Sequence, residues 1–286
     1  MRRYLLIFSA ALGFTVSPLP ADASTSVDEA EVCESCEALL DLAVAHPARK
    51  EDRIRDRYRH PAETLAFFRV RPTMKVGEYA PGGGWYSRVL GVYLGSQGKL
   101  TGLFLNTQAA PATDAGKQRM RDAAASFARD AAGWTGQPPA RFAGYTLDAV
   151  PEGEKGSFDR ILVMRMMHNM HRFGMVHREL TTFRELLKDD GLLGIEQHRA
   201  RADAPAAYAD GSKGYMRERD VIALVEAHGF ELVATSEINA NPADPADHPE
   251  GVWSLPPNLA QGDADRARFM AIGESDRMTL LFRKRR

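Results

Sequence analysis

From residue 75 onward two hydrophobic patterns alternate along the chain. Short apolar runs fall at 75–79, 99–105, 141–147, 160–166, 192–197, 231–236 and 278–283, each about the length of one strand. Between most of them lie stretches with apolar positions three and four apart, at 85–95, 113–132, 176–188 and 216–228, which read as amphipathic helices. Asp189-Asp190-Gly191 and His228-Gly229 stand where two of these helices should stop. Strand and helix in regular alternation predict an α/β fold, a mostly parallel sheet with helices on both faces. The sixth and seventh runs break the rule. The segment joining them, 238–274, is rich in Pro, Asp and Asn, and a connection of that length in a compact domain usually carries function.

The first 72 residues have a different character. Arg2 and Arg3 precede an apolar run to Val16, then Pro18, Pro20 and Ala21-Asp22-Ala23. A basic start, a short apolar core and an A-x-A end predict a secretory signal peptide over 1–23, cleaved near Ala23. The run is too short to cross a bilayer, and no later stretch approaches a membrane span. Export to the periplasm or beyond is the expected localisation. Residues 24–72 then predict a helical extension packed on the domain 73–286. Pro61 suits a helix start, Glu63 its first turn, and Leu65, Phe67 and Phe68 its inward face. The only cysteines, Cys33 and Cys36, are compatible with a local disulfide or with incidental thiols.

Composition narrows the partners. The chain is 44% hydrophobic and 26% charged with a formal net charge of -1, so no basic surplus points to nucleic acid and no acidic surplus to a solvating tail. A small-molecule substrate is expected, and the sequence specifies no oligomeric state.

The densest chemical signal is Met74-Lys-Val-Gly-Glu-Tyr-Ala-Pro-Gly-Gly-Gly-Trp-Tyr86. It reads as a strand, a glycine turn and the first turn of a helix. Glycines there let a ligand lie against the main chain, and the helix start offers unpaired N–H groups. Glu78, at the end of the strand, adds an acceptor. Trp85 and Tyr86 can face the ligand or anchor the helix.

With these features the chain resembles the class I S-adenosylmethionine-dependent methyltransferases, and within them a family of exported bacterial methyltransferases. The resemblance rests on residues 78–86 and on Arg59-His-Pro-Ala-Glu-Thr-Leu-Ala-Phe-Phe68, Phe158-Asp-Arg-Ile161 and Leu187-Lys-Asp-Asp-Gly-Leu192. Gly251-Val-Trp-Ser-Leu-Pro-Pro257 and Gly273-Glu-Ser-Asp-Arg-Met-Thr-Leu280 complete it. It implies a seven-stranded Rossmann-like sheet with an antiparallel last strand, so that 238–274 begins and ends on the ligand-bearing edge and overhangs the active site. It implies S-adenosyl-L-methionine as cofactor. Glu78 takes the place of the family's acid at the end of strand one, Gly82 and Gly84 its second and third glycines, and Ala80 its first. Asp148 matches the acid that accepts from the adenine amine, and Asp159 opens strand four.

One departure stands out. The second strand, Leu100-Thr-Gly-Leu-Phe-Leu-Asn106, ends without the acid that binds the ribose hydroxyls, and Asn106 offers a weaker amide contact. That absence counts equally against NAD, which needs an acid at the same place. A catalytically silent binding protein keeping the same fold is therefore the alternative to an enzyme.

Methyl transfer needs the nucleophile held in line and sometimes a proton acceptor. After strand four the chain reads Met166-Met-His-Asn-Met-His171, so His168 and His171 are candidate bases and Asn169 a candidate substrate contact. His198, just past strand five, is a third candidate base, and Trp253 of the long segment a candidate substrate wall. Ligand spacing for a metal is not matched, and no metal is expected. Met164, Met166, Met167, Met170 and Met175 read as core and pocket lining. Asp276 and Arg277 read as an ion pair at the start of the last strand.

Overall fold

One sheet holds seven strands: β1 (Lys75–Tyr79), β2 (Lys99–Phe104), β3 (Phe142–Thr146), β4 (Phe158–Met164), β5 (Leu187–His198), β6 (Phe230–Ser236) and β7 (Arg277–Lys284). Their spatial order is β3-β2-β1-β4-β5-β7-β6. The pairs among β1 to β5 are parallel, and β7 runs antiparallel to both β5 and β6. This is the class I methyltransferase arrangement. The structure is a computed structural model that describes residue 33 and residues 35–286. The expected signal peptide, 1–23, lies outside the described residues.

The helices are α1 (Cys36–Ala45), α2 (Asp56–Arg59), α3 (Pro61–Phe67), α4 (Trp85–Leu94), α5 (Asp114–Thr135), α6 (Met167–Arg172), α7 (Val176–Leu186), α8 (Ala206–Ala209), α9 (Glu218–Glu226) and α10 (Arg266–Ile272). Strand periodicity sorts them into two layers. Val76, Leu100, Leu162, Leu192 and Leu281 face a core built with α1, α3, α4 and α5. Tyr79, Leu103, Ile161, Val163, Leu193, Ile195 and Leu280 face a second core built with α6, α7 and α9. Glu78, Glu196 and Arg277 therefore share the α4 side of the sheet, by the same two-residue alternation.

Several expectations are corrected in detail. Asp189-Asp190-Gly191 does not end a helix: α7 stops at Leu186, and the three residues bulge out of β5. Phe158 pairs with Leu187 and Arg160 with Leu192, both anchored by buried side chains, so the surplus residues loop outward. The 238–274 segment is not bare loop, since it contains a 3-10 turn at Gly251–Ser254 and α10. Of the states open to Cys33 and Cys36, the structure has the disulfide.

The N-terminal helices are fastened to the body by polar contacts. Asp52 accepts from the Arg88 side chain at 2.5 and 2.7 Å, and Trp85 lies between the Arg49 and Arg59 guanidiniums, 4.9 and 4.7 Å from its ring centroid. The Trp85 indole donates to the Asp52 carbonyl and the Tyr86 hydroxyl to that of Arg59. Trp85 and Tyr86 thus anchor α4 to the extension.

Candidate functional site

The C-terminal ends of β1, β4 and β5 and the first residue of β7 converge on one edge of the sheet. At β1 the chain turns through Ala80, whose φ of 49° is left-handed. The turn survives the loss of a glycine there, at the strain an L side chain carries in that region. Gly82 also has a left-handed φ of 56°, and a Cβ built on it meets only the Ala80 carbonyl oxygen at 3.9 Å; at Gly83 it meets nothing within 4 Å. These two face open space. Gly84 does not: its Cβ would run into the Trp134 ring of α5. The third glycine is thus required for the packing of α4 on α5.

Glu78 is buried, and one of its oxygens accepts from the Ser87 hydroxyl at 2.6 Å. Burial pushes its carboxyl up to about 7, against the pull of Ser87, Arg165 and Arg88. A carboxyl poised there beside an open glycine cradle suits a cationic ligand that would complete its ionisation, and to that extent these residues fit S-adenosylmethionine.

The ribose side is built differently from the expectation. The Asn106 side-chain oxygen turns back to accept from the backbone N–H groups of Gln108 and Ala109, at 3.0 and 3.2 Å. Asp148 is likewise occupied: its two oxygens accept from the Thr107 N–H and hydroxyl, each at 2.7 Å, tying the loop after β2 to the loop after β3. An acid does reach this edge, from α7. Glu179 is fully buried, hydrogen-bonded to the Tyr79 hydroxyl, and accepts from the Asn106 N–H at 3.3 Å. Burial pushes it, too, up to about 7. On a helical wheel Glu179 looks like one more surface carboxylate, and only its spatial neighbours reveal it. Asp159, at the opposite end of the sheet, accepts from the Lys75 N–H at 2.8 Å and pairs with Lys188 at 2.6 Å, a structural place.

On the other half of the edge, His168 and His198 come together with ring centroids 5.5 Å apart, and Trp253 lies 6.1 Å from His168. The Gln197 amide oxygen is 3.2 Å from Nδ1 of His168, and the Ser275 hydroxyl bonds Nδ1 of His198. Burial pushes His168 down to about 4, with Arg172 and Arg165 adding to the shift. Burial, then His168 and the guanidiniums of Arg277, Arg165 and Arg59, holds His198 well below the usual imidazole range. Both rings are neutral at pH 7. His171 is not with them: it is exposed in the last turn of α6, and its Nδ1 lies 2.9 Å from the Asp210 carbonyl oxygen. Asn169 stays partly buried with its amide nitrogen on the Met166 sulfur, 3.3 Å away, and its oxygen without a partner. Among the described residues no three His, Cys, Asp or Glu side chains are grouped to hold a metal.

Under these rings lies a charge cluster that sequence reasoning missed. Glu196 is fully buried, with Arg277 Nε 3.1 Å and Arg165 Nη1 3.6 Å from its oxygens. Arg277 also binds Glu274 at 3.0 Å, and Glu274 takes Arg59 at 2.9 Å and Arg55 at 2.6 Å. The expected Asp276–Arg277 pair does not form. Neighbours on a strand point to opposite faces, so Asp276 pairs with Arg199 instead, at 2.9 Å.

No family model and no curated protein matches the chain. Solved structures similar in fold include the 4+2 cyclase SpnF (17% identity, covering 79% of this chain and 80% of that one, TM-score 0.51). A second is a putative sarcosine dimethylglycine methyltransferase from Galdieria sulphuraria (13%, 84% and 89%, TM-score 0.51). A SAM-dependent methyltransferase from Aquifex aeolicus aligns at 16% identity over 71% of this chain and 93% of that one, with a TM-score of 0.48. At these identities the likeness is one of fold.

Proposed function

We propose that this chain is an S-adenosylmethionine-dependent methyltransferase acting on a small molecule and exported to the periplasm. The observation that carries the reading is a juxtaposition. An open glycine cradle with a buried carboxyl, at Glu78, Gly82 and Gly83, lies on the same sheet edge as two neutral imidazoles, the buried His168 beside Trp253 and the half-buried His198. When bound, S-adenosylmethionine supplies an electrophilic methyl on a sulfonium centre. The cradle and Glu78 would hold it across the ends of β1 and β4. His168 or His198, unprotonated at neutral pH, would take the proton that an acceptor hydroxyl or amine must lose. Gln197 and Ser275 orient the two rings through Nδ1, which turns Nε2 of each into the free position. Trp253 walls the acceptor side, so the 238–274 segment serves as cover. Export is supported by the residue pattern of 1–23 and is compatible with the Cys33–Cys36 disulfide. Nothing among the described residues favours the catalytically silent alternative.

Calorimetry of the mature protein with S-adenosylhomocysteine tests the cofactor, and N-terminal sequencing of the protein from a cell-envelope fraction tests export. Micromolar binding and a start at Ser24 are expected. No binding at millimolar ligand removes the methyltransferase reading, and a retained Met1 removes the export.

A further inference from the structure

The charge cluster below His198 is not balanced. Arg55, Arg59, Arg165 and Arg277 surround two carboxylates, Glu196 and Glu274, with Glu78 a third acid on which Arg165 acts, so four guanidiniums face at most three negative charges in a largely buried setting. Buried charges are ordinarily paired, because removal from water is costly without a counter-ion. Arg59 shows the strain on this cluster. It is 3% exposed and lowered to about 9 by burial first, then by Arg165, with Glu274 pulling the other way.

The hydrogen bonds show where a partner is lacking. Arg59 donates to Glu274 only through Nε, at 2.9 and 3.2 Å, and its two terminal amino groups donate to no described residue. The Arg165 guanidinium also donates a hydrogen bond to no described residue, and its buried Nη1 stands 3.6 Å from Glu196, paired by charge but beyond hydrogen-bond reach. Arg165 stands directly after β4 with a φ of 58°, a left-handed conformation that a non-glycine residue holds only when its surroundings over-determine it. Both guanidiniums act on His198, whose imidazolium they disfavour.

We infer that the acceptor substrate is an organic anion, and that Arg59 and Arg165 grip its carboxylate so that its nucleophilic atom meets His168 and His198. This rests on the methyl-transfer reading. Guanidinium forks bind carboxylates through paired, charge-assisted hydrogen bonds, and one such group would supply negative charge that the cluster lacks. A neutral acceptor would leave the excess uncompensated, and the sulfonium of the cofactor would add to it. The same chemistry could come from the cofactor's own methionine carboxylate, so the test separates the two sources.

At saturating S-adenosylhomocysteine, benzoate should raise the Tm of the wild-type protein, with inorganic phosphate run in parallel as a salt control. Arg165→Gln should weaken the benzoate dependence at least tenfold while binding S-adenosylhomocysteine within threefold of wild type. Arg165→Lys, which keeps the charge, should recover much of it. The Arg165 guanidinium donates no hydrogen bond to the protein, and Glu196, 3.6 Å from it, keeps Arg277 at 3.1 Å, so Arg165→Gln should melt, without ligand, close to wild type. Benzoate and phosphate effects that are equal in wild type and Arg165→Gln, or no effect on wild type, overturn the proposal. So does an Arg165→Gln protein that loses affinity for S-adenosylhomocysteine but not for 5′-methylthioadenosine, which lacks the amino-acid part: the arginines would then hold the cofactor. A wild type that binds benzoate through Arg165 but binds no S-adenosylhomocysteine keeps the anion site and sinks the methyltransferase reading.

Discussion

At the ends of β1 and β2 the buried titratable groups are acids, Glu78 and Glu179; at the ends of β4 and β5 they are the imidazoles of His168 and His198 among guanidiniums. Burial is the leading cause of every shift in both places, yet it acts in opposite senses, raising the acids and lowering the bases. The secondary causes differ. Around Glu78 the hydrogen bond from Ser87 and the charges of Arg165 and Arg88 only moderate the rise. Around His198 the neighbours Arg277, Arg165 and Arg59 deepen the fall. Desolvation alone would leave both halves neutral. The arginines make one half cationic, and that asymmetry separates a place for a cation from a place for an anion along a single edge.

The contrast breaks most sharply at the imidazoles. His168→Gln and His198→Gln should each lower kcat about a hundredfold, ~2.7 kcal/mol of barrier, with S-adenosylhomocysteine affinity within threefold of wild type. Steady-state kinetics beside calorimetry checks this, and unchanged kcat in both variants would leave the acceptor half as a binding wall without a base. Next come the glycines. Gly84→Val should cost about 2–3 kcal/mol of stability through overpacking against Trp134. Gly82→Val, which enters open space, should cost ~1–2 kcal/mol through its left-handed backbone and weaken S-adenosylhomocysteine at least tenfold. Equal Tm losses, or intact binding by Gly82→Val, would show that the cradle is not where the ligand lies.

The smallest effect is the pH response of the acid half. With Glu78 at about 7, affinity for the cationic cofactor should rise roughly tenfold, ~1.4 kcal/mol, between pH 6 and 8 as the carboxyl ionises. Glu78→Gln should flatten that rise. Stability runs the other way. A folded value above the ordinary 4.5 means that Glu78 supports folding below pH 4.5, and that this contribution is lost as pH climbs through 7. For His168, depressed to about 4, the contribution is full above 6.5 and lost as pH falls toward 4. Calorimetric titrations and Tm measured across this range check both signs.

What the sequence revealed follows the reach of local pattern. The bounds of β1, the glycine turn and the antiparallel β7 were legible because each rests on adjacent residues or on a resemblance spread over the chain. His168 and His198 were findable as unusual residues near strand ends, and Trp253 as an aromatic in the long connection. Arg59, Arg165, Glu196 and Glu274 were not, for each is an ordinary charge locally, and Arg277 was legible as an ion-pair residue but not in its partners. They meet only because β5 and β7 lie side by side and α2 folds over them. His171 and Asp148 carry the converse lesson: their residue types were legible, but their contacts, His171 with the Asp210 carbonyl and Asp148 with Thr107, were not.

The placement of β7 has a consequence in time. It is the last made of the sheet's seven described strands, yet it lies inside the sheet between β5 and β6, and residues 274–277 close the salt-bridge chain onto residues 55–59. Synthesis is vectorial, so the extension, the cradle and β4 can assemble on the ribosome while the acceptor half stands open. Until residue 284 has emerged, β5 and β6 lack the strand that joins them, and Arg59 and Glu196 have no counter-charges from β7 and its lead-in. Completion of the acceptor half is thus a late, all-at-once event, and a chain truncated before β7 would expose two sheet edges to other chains.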